Sequence, residues 1–306
     1  MSVRKLPPIL QQKAISELNE NPQRILEDIE SLRSWLKHQP HLKIRDENQF
    51  LLGVLRGCKF SIEKSKQKLE MHHTYKTFAA EFFKNKDPFE KSFQSLLNTE
   101  TLYIKSYLAS PTIYYVRWKN LDEFGMSLAE IGKSFFMNLD VLINEKDEFV
   151  INGLIIILDF KDMPLKTFLK WDINVLKKLF SIINSCYVRI KQIYVINTLP
   201  IVHNIYSAVK IVFSKKFERK VSLHNEALTS KLYESVLNDL LPKEFGGLRD
   251  DGEQVRAEWK HKFESYKQWF EEDDKYRSYE ELRVGPRPTY SHLFEVEGSF
   301  RTLDCD

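Results

Sequence analysis

GMSLA, residues 125–129, comes within one position of the G-x-S-x-G elbow that presents a nucleophilic serine in hydrolases. An elbow serine follows directly on a buried strand, whereas KNLDEF precedes this one. Ser127 with Glu130 three residues on is instead a capping box for the helix that carries Ile131, Phe135 and Leu139. The adjacent His72 and His73 point about 100° apart on a helix, unlike an i,i+4 pair that shares a metal, so they read as surface histidines. Asp159 ends the apolar run GLIIILDF (153–160), at the strand end where ligands of α/β sheets gather. With no Lys, His or Glu partner at a telling spacing, it reads as a loop-start or capping residue. Cys58, Cys186 and Cys305 are too dispersed for a disulfide framework or a Cys-x-x-Cys site and read as reduced, incidental thiols. The expectation is a protein without a catalytic constellation, cofactor or metal.

More informative is VKIVFSKKFERKV, residues 209–221. As one helix over 203–221, at about 100° per residue, Ile205, Ala208, Val209 and Val212 form a stripe with Phe213 on its flank. Lys215, Lys216, Arg219 and Lys220 continue nearly the same stripe. A face that is apolar in its first half and cationic in its second matches the tail and head of a phospholipid, or a lipid cavity beside an anionic membrane. The competing reading bends the helix near Ser214 and turns the cations to water.

The elements that must position these residues change character along the chain. Ile25, Ile29, Leu32, Trp35 and Leu36 recur at helical spacing. A second helix after Asp46 shows Phe50, Leu51, Val54 and Leu55 on one face and closes at Gly57, and Ser61 caps a third. Residues 1–95 therefore read as a small helical bundle. TIYYVRW (112–118), GLIIILDF and IKQIYVIN (190–197) are strand-length apolar runs separated by helical segments 127–143 and 172–188, with another helix from about 203. That alternation predicts an α/β sheet with crossover helices. Residues 251–306 read as a final helix and an extended tail.

Composition narrows the partners. The 46 Lys and Arg nearly balance 43 Asp and Glu, so no overall field favours nucleic acid and any anion site is a local cluster. Only 10 glycines, about half the usual frequency, leave little for phosphate-cradling loops. The start MSVRKLPPIL has no signal-peptide core and no Gly at position 2, and no uncharged apolar run reaches membrane-spanning length. A cytoplasmic protein is expected.

WLKHQPHLKIRDENQFLLGVLRGCKFSIEKSKQKLE (35–70), GLIIILDF, IKQIYVINTLP, the helix after His203 and LPKEFGGL (241–248) occur in an order that resembles the CRAL-TRIO lipid-binding family of retinaldehyde-binding and α-tocopherol transfer proteins. The ending EGSFRTLDCD resembles insect members. The resemblance implies an N-terminal helical module (1–95), a lipid-binding domain (96–250) whose mixed sheet floors an apolar cavity under a mobile gate helix, and a C-terminal helix and tail (251–306). It places the gate at about 201–213, with Ile201, Val202, Ile205, Val209, Val212 and Phe213 toward the ligand. Phe135, Leu139, Leu154, Ile156, Leu158, Ile182 and Ile193 are implied for the floor and walls, with strand alternation turning some of them away. Tyr115, Ser181, Asn184 and Ser185 are polar residues within reach of such a pocket, each read first as structural.

By the same resemblance Arg189, Lys191, Lys216 and Lys220 match the basic positions that hold a phosphoinositide headgroup at the pocket rim. LRGCKF departs from the family's L-R-x-R-x-F by placing Cys58 at the second Arg, with Lys59 as a partial replacement. The implied partners are one hydrophobic small molecule (retinoid, tocopherol, carotenoid, sterol or phospholipid) and a phosphoinositide-bearing membrane. The implied function is transfer of that molecule between membranes, and the alternative is a phosphoinositide-dependent adaptor or sensor that carries nothing.

Overall fold

The computed structural model describes residues 3–294; the ending EGSFRTLDCD, with Cys305, lies outside them. Helices α1 (Pro8–Leu18), α2 (Ile25–Leu36), α3 (Asn48–Gly57) and α4 (Ile62–Phe78) form the N-terminal module, and α5 (Lys91–Asn98) leads to the sheet. The sheet order is β1 (Leu102–Lys105), β2 (Thr112–Arg117), β3 (Leu154–Asp159), β4 (Ile190–Ile196) and β5 (Val221–Leu223). β1 runs antiparallel to β2, and the remaining pairs are parallel. The crossover from β2 to β3 passes through α6 (Trp118–Glu123), α7 (Leu128–Glu145) and α8 (Asp147–Asn152). Between β3 and β4 lie α9 (Leu165–Leu169) and α10 (Ile173–Ser185). The mixed α/β sheet flanked by helices is the architecture that the alternating pattern predicts. The short strands β1 and β5 carry too few residues to show a period and escape the sequence reading.

Period-two alternation divides the sheet. Tyr114, Val116, Ile156, Ile193 and Val195 join the larger core with α7 and α10, whereas Tyr103, Ile113, Tyr115, Ile157 and Ile196 pack on the opposite face with Leu237, Leu241 and Phe245. β3 is covered on both sides, which is why its sequence is a nearly unbroken apolar run. Gly153 immediately precedes it with φ of 87°, and a Cβ there would stand 2.4 Å from the Arg189 carbonyl oxygen. Only glycine lets β3 start beside β4 in this way.

The segment after β4 differs from the single helix expected over 203–221. α11 runs Pro200–Val209, a tighter turn covers Lys210–Val212, Phe213 is extended, and Ser214 caps a short α12, Lys215–Glu218. The Ser214 hydroxyl accepts from the Phe217 amide at 3.2 Å and donates to Asn184 Oδ1 at 3.1 Å, so a new N-terminus competes successfully with helix continuation. The continuous stripe does not exist.

Beyond β5, α13 (Glu226–Leu232) packs under the sheet. α14 (Gly252–Glu264), α15 (Lys267–Asp273) and α16 (Tyr290–Phe294) replace the expected final helix and extended tail, since this segment returns to the N-terminal module. The Ser278 amide donates to the His73 carbonyl at 3.1 Å and the Tyr279 amide to the His41 carbonyl at 2.7 Å. Lys76 and Lys86 reach buried Asp273 at 2.7 and 2.6 Å, and Lys86 also meets Asp140 at 2.8 Å.

His72 and His73 are consequently buried, not on the surface. His72 lies against Phe83 and Tyr187, and His73 Nδ1 bonds the Leu69 carbonyl at 2.8 Å. Burial holds both imidazoles neutral, His73 down to about 3, with Lys76 adding to the effect at both.

Candidate functional site

α11 lies over the larger face of the sheet and encloses a cavity of about 1020 Å³, mouth included. Its floor is Tyr114 and Val116 of β2, Ile156 and Leu158 of β3, Ile193 and Val195 of β4, and Val221 and Leu223 of β5. α7 contributes Ile131, Gly132 and Phe135, and α10 contributes Leu176, Leu179, Phe180 and Ile183, one stripe at helical spacing. The lid is Val202, Ile205, Tyr206 and Val209, followed by Phe213. Among the described residues no charged side chain lines this space, and its lining suits a small apolar ligand.

Of the residues assigned to the ligand, Phe135, Ile156, Leu158, Ile193, Val202, Ile205, Val209 and Phe213 meet in this wall. Leu139, Leu154, Ile182, Ile201 and Val212 do not. Leu139 lies one turn beyond Phe135 along α7, and Leu154 has the right parity but sits at the very start of β3; both are locked in the core. Ile182 is turned about 100° from Ile183 and faces the core instead of the cavity. Ile201 is half-buried and packs against the larger core without lining the cavity, and Val212 lies in the tight turn. The aromatic end of the cavity, formed by Trp118, Phe160 and Trp171, escaped the sequence reading. Its signal was present in TIYYVRW and LDF, where each strand ends in a large aromatic residue.

A second depression adjoins the first, with Ile183 in the wall of both. It gathers Arg189, Lys191, Lys216 and Lys220 with Lys59, Lys64 and Lys68 from the N-terminal module. Gly57 permits this convergence, because a Cβ there would come within 2.1 Å of the Tyr187 carbonyl oxygen. Lys64 and Lys68, one turn apart on one face of α4, are a cationic pair legible in the sequence.

Lys220 Nζ donates to the Ile190 carbonyl at 2.6 Å and Lys68 Nζ to the Asn184 carbonyl at 3.0 Å. Arg189 Nε and Nη2 are buried with no partner among the described residues. Burial first, then neighbouring cations, hold Lys191 and Lys220 below the usual lysine pKa; burial also lowers Lys68 and Arg189, the latter opposed by Glu17. Mutual repulsion and unpartnered donors make the groove a place where an anion is stabilised.

The other candidates have structural partners. Ser127 Oγ and Glu130 form the full capping box of α7. Asp159 accepts from the Tyr115 hydroxyl, from Asn197 Nδ2 at 2.7 Å and from the Lys161 amide at 2.9 Å, on the face of the sheet away from the cavity. Ser181 is buried outside the cavity wall, and Asn184 lines the groove. Cys58 and Cys186 are free, buried thiols in the groove wall, both pushed up by burial, Cys186 to about 11. Arg56, the first arginine of LRGCKF, is buried against Glu20 at 2.8 Å and Asp147 at 2.9 Å, so it holds the module together. No helix among the described residues is long and apolar enough to cross a membrane.

An apolar cavity floored by a mixed sheet, lidded by a helix and bordered by cations defines an α/β protein of the lipid-cavity class. Residues 109–247 match the CRAL/TRIO domain, and residues 21–93 match the Pinta-like, UBA domain. Residues 109–247 thus form a CRAL-TRIO domain, and the chain resembles the lipid-binding and lipid-transfer proteins built on that domain. It is 28% identical over 252 residues to the Alpha-tocopherol transfer protein-like protein of Mus musculus, covering 81% of this chain and 71% of that protein. Its likeness to Clavesin-1 of Xenopus laevis is 27% over 252 residues, covering 79% and 74% of the two chains. The solved structure of Sfh5 corresponds more loosely, with TM-score 0.43 and 12% identity over 96% of this chain and 97% of that one.

Proposed function

We propose that this protein carries one hydrophobic molecule in the cavity under α11 and transfers it between membranes, recognising a phosphoinositide headgroup in the adjoining groove. The observation that carries this reading is the contiguity of the two surfaces: a wall whose described residues carry no charge and a groove of convergent cations share Ile183. Burial of apolar ligand surface, at about 25 cal/mol per Å², supplies retention. Cations near an anionic membrane contribute about 1 kcal/mol each, which suits recruitment. Arg189, Lys191, Lys216 and Lys220 hold the phosphates in this reading, and Lys59, Lys64 and Lys68 take the place of the family arginine at Cys58.

The protein works in the cytoplasm and at membranes transiently, and catalyses no covalent change; its most serine-hydrolase-like residue, Ser127, is engaged as a helix cap. Residues 1–95 and 96–250 act as module and carrier, and the described part of 251–306, as far as Phe294, acts as a clasp. The relatives named for α-tocopherol transfer point to tocopherol or a retinoid-sized molecule as cargo. Protein purified from its native cells is expected to yield a stoichiometric lipid on extraction and mass spectrometry, and to move that lipid between donor and acceptor vesicles faster when the acceptor contains phosphoinositide. Vesicle binding without cargo or transfer would leave an adaptor or sensor instead.

A further inference from the structure

Trp118 opens α6 directly after β2, and Phe160 directly follows β3, so the two rings meet at the carboxyl ends of the strands. Their centroids lie 5.4 Å apart at 67°, and Trp171 stands 4.9 Å from Trp118 at 55°. All three line the cavity. Trp118 is only 7% exposed, and its Nε1 is buried with no acceptor among the described residues.

The other polar atoms of the wall are differently placed. The Tyr114 hydroxyl bonds Asn138, which in turn accepts from Trp259 Nε1 at 2.7 Å and donates to the Ser134 carbonyl at 2.8 Å. Trp171 and Tyr206 are half-buried. A buried N–H without an acceptor is disfavoured by more than an ordinary bond is favoured, and native folds keep few of them. In a cavity that otherwise offers apolar surface, such a donor selects for its missing partner.

We propose that Trp118 Nε1–H is the polar anchor of the cargo, and that the cavity takes an apolar molecule with one acceptor oxygen, a hydroxyl, carbonyl or ester, lodged at the aromatic end. This rests on the carrier reading and specifies its ligand class. The basic groove lies at the other end of the sheet, where Arg189 precedes β4. A diacyl phospholipid with its phosphate there would press hydrocarbon against Trp118 and leave the N–H bare; a pure hydrocarbon would do the same.

The test is equilibrium binding of matched pairs, phytanol with phytane and cholesterol with cholest-5-ene, alongside dioleoylphosphatidylcholine, to the wild-type protein and to Trp118→Phe. The wild type should prefer the oxygenated member of at least one pair about ten-fold, which is about 1.4 kcal/mol. Trp118→Phe should bring that ratio close to one while hydrocarbon affinity holds. Independently of any variant, one of the five indole N–H resonances, assigned through its contacts with Trp171, should move downfield with the oxygenated ligand alone. Equal wild-type affinities within the pairs, a preference that survives Trp118→Phe, or an unmoved indole resonance overturns the anchor. Binding of the phospholipid alone overturns it while the carrier reading stands; binding of none of the five overturns both.

Discussion

The cavity draws its wall from alternate residues of β2, β3 and β4 and from single stripes of α7, α10 and α11, so each element contributes by its own period. The groove beside it draws cations from α4, from the turn before it, from the start of β4, from α12 and from the turn between α12 and β5, as far apart in sequence as Lys59 and Lys220. Apolar burial is cooperative within an element, because one face serves the whole core. Charge convergence is not, because no local period brings a lysine of α4 to the arginine that precedes β4. A periodic site therefore tolerates the loss of single members, whereas a convergent one depends on the backbone approaches that assemble it.

Several substitutions separate the two regions. The largest effect is expected for Lys216→Glu with Lys220→Glu, which should weaken binding to phosphoinositide vesicles about a thousand-fold in flotation assays at low salt, at about 1 kcal/mol per charge lost and again per charge reversed. Cavity affinity should be unchanged; loss of both would mean that the two surfaces are one site. Val202→Trp does the converse, filling the space under α11: cargo affinity should fall about ten-fold or more while vesicle binding persists. Gly57→Ala attacks the approach itself, since its Cβ would collide with the Tyr187 carbonyl. It should lower stability by about 1–3 kcal/mol in urea titrations and weaken vesicle binding several-fold without removing a cation.

The pH dependence comes from a region outside both sites. His73 has a folded pKa of about 3 against 6.5 when unfolded, so the unfolded chain takes up its proton first. Its contribution is complete above pH 6.5 and is lost progressively as pH falls from 6.5 toward 3. Melting temperature should drop over that window, and His73→Gln should flatten the slope between pH 6.5 and 4. The smallest effect is expected for Ser214→Ala, which removes the cap of α12 and should cost about 1 kcal/mol, with faster cargo release measured by stopped-flow as the sign that this break serves the lid.

The outcome at individual residues shows where sequence reasoning ends. Ile183 and Ile182 are neighbours of equal hydrophobicity, and only the angle at which α10 meets the sheet selects Ile183 for the cavity. His72 and His73 sit in a helix crowded with lysines and read as exposed; Ser278 and Asp273, some 200 residues on, cover them. Ser214 was legible as a break point, yet whether the cations beyond it faced water or a groove depended on Asn184 and Arg189 across the cleft.

By itself the sequence determined the alternation of strands and helices, the α7 capping box, the apolar character of the lid and the local density of cations after it, because each follows from residue type and a short-range period. Tertiary structure alone decided which apolar residues face empty space, which lysines converge and which donor, Trp118 Nε1, is left without an acceptor. These depend on distances between segments remote in the chain, and such distances are set by packing of the whole core.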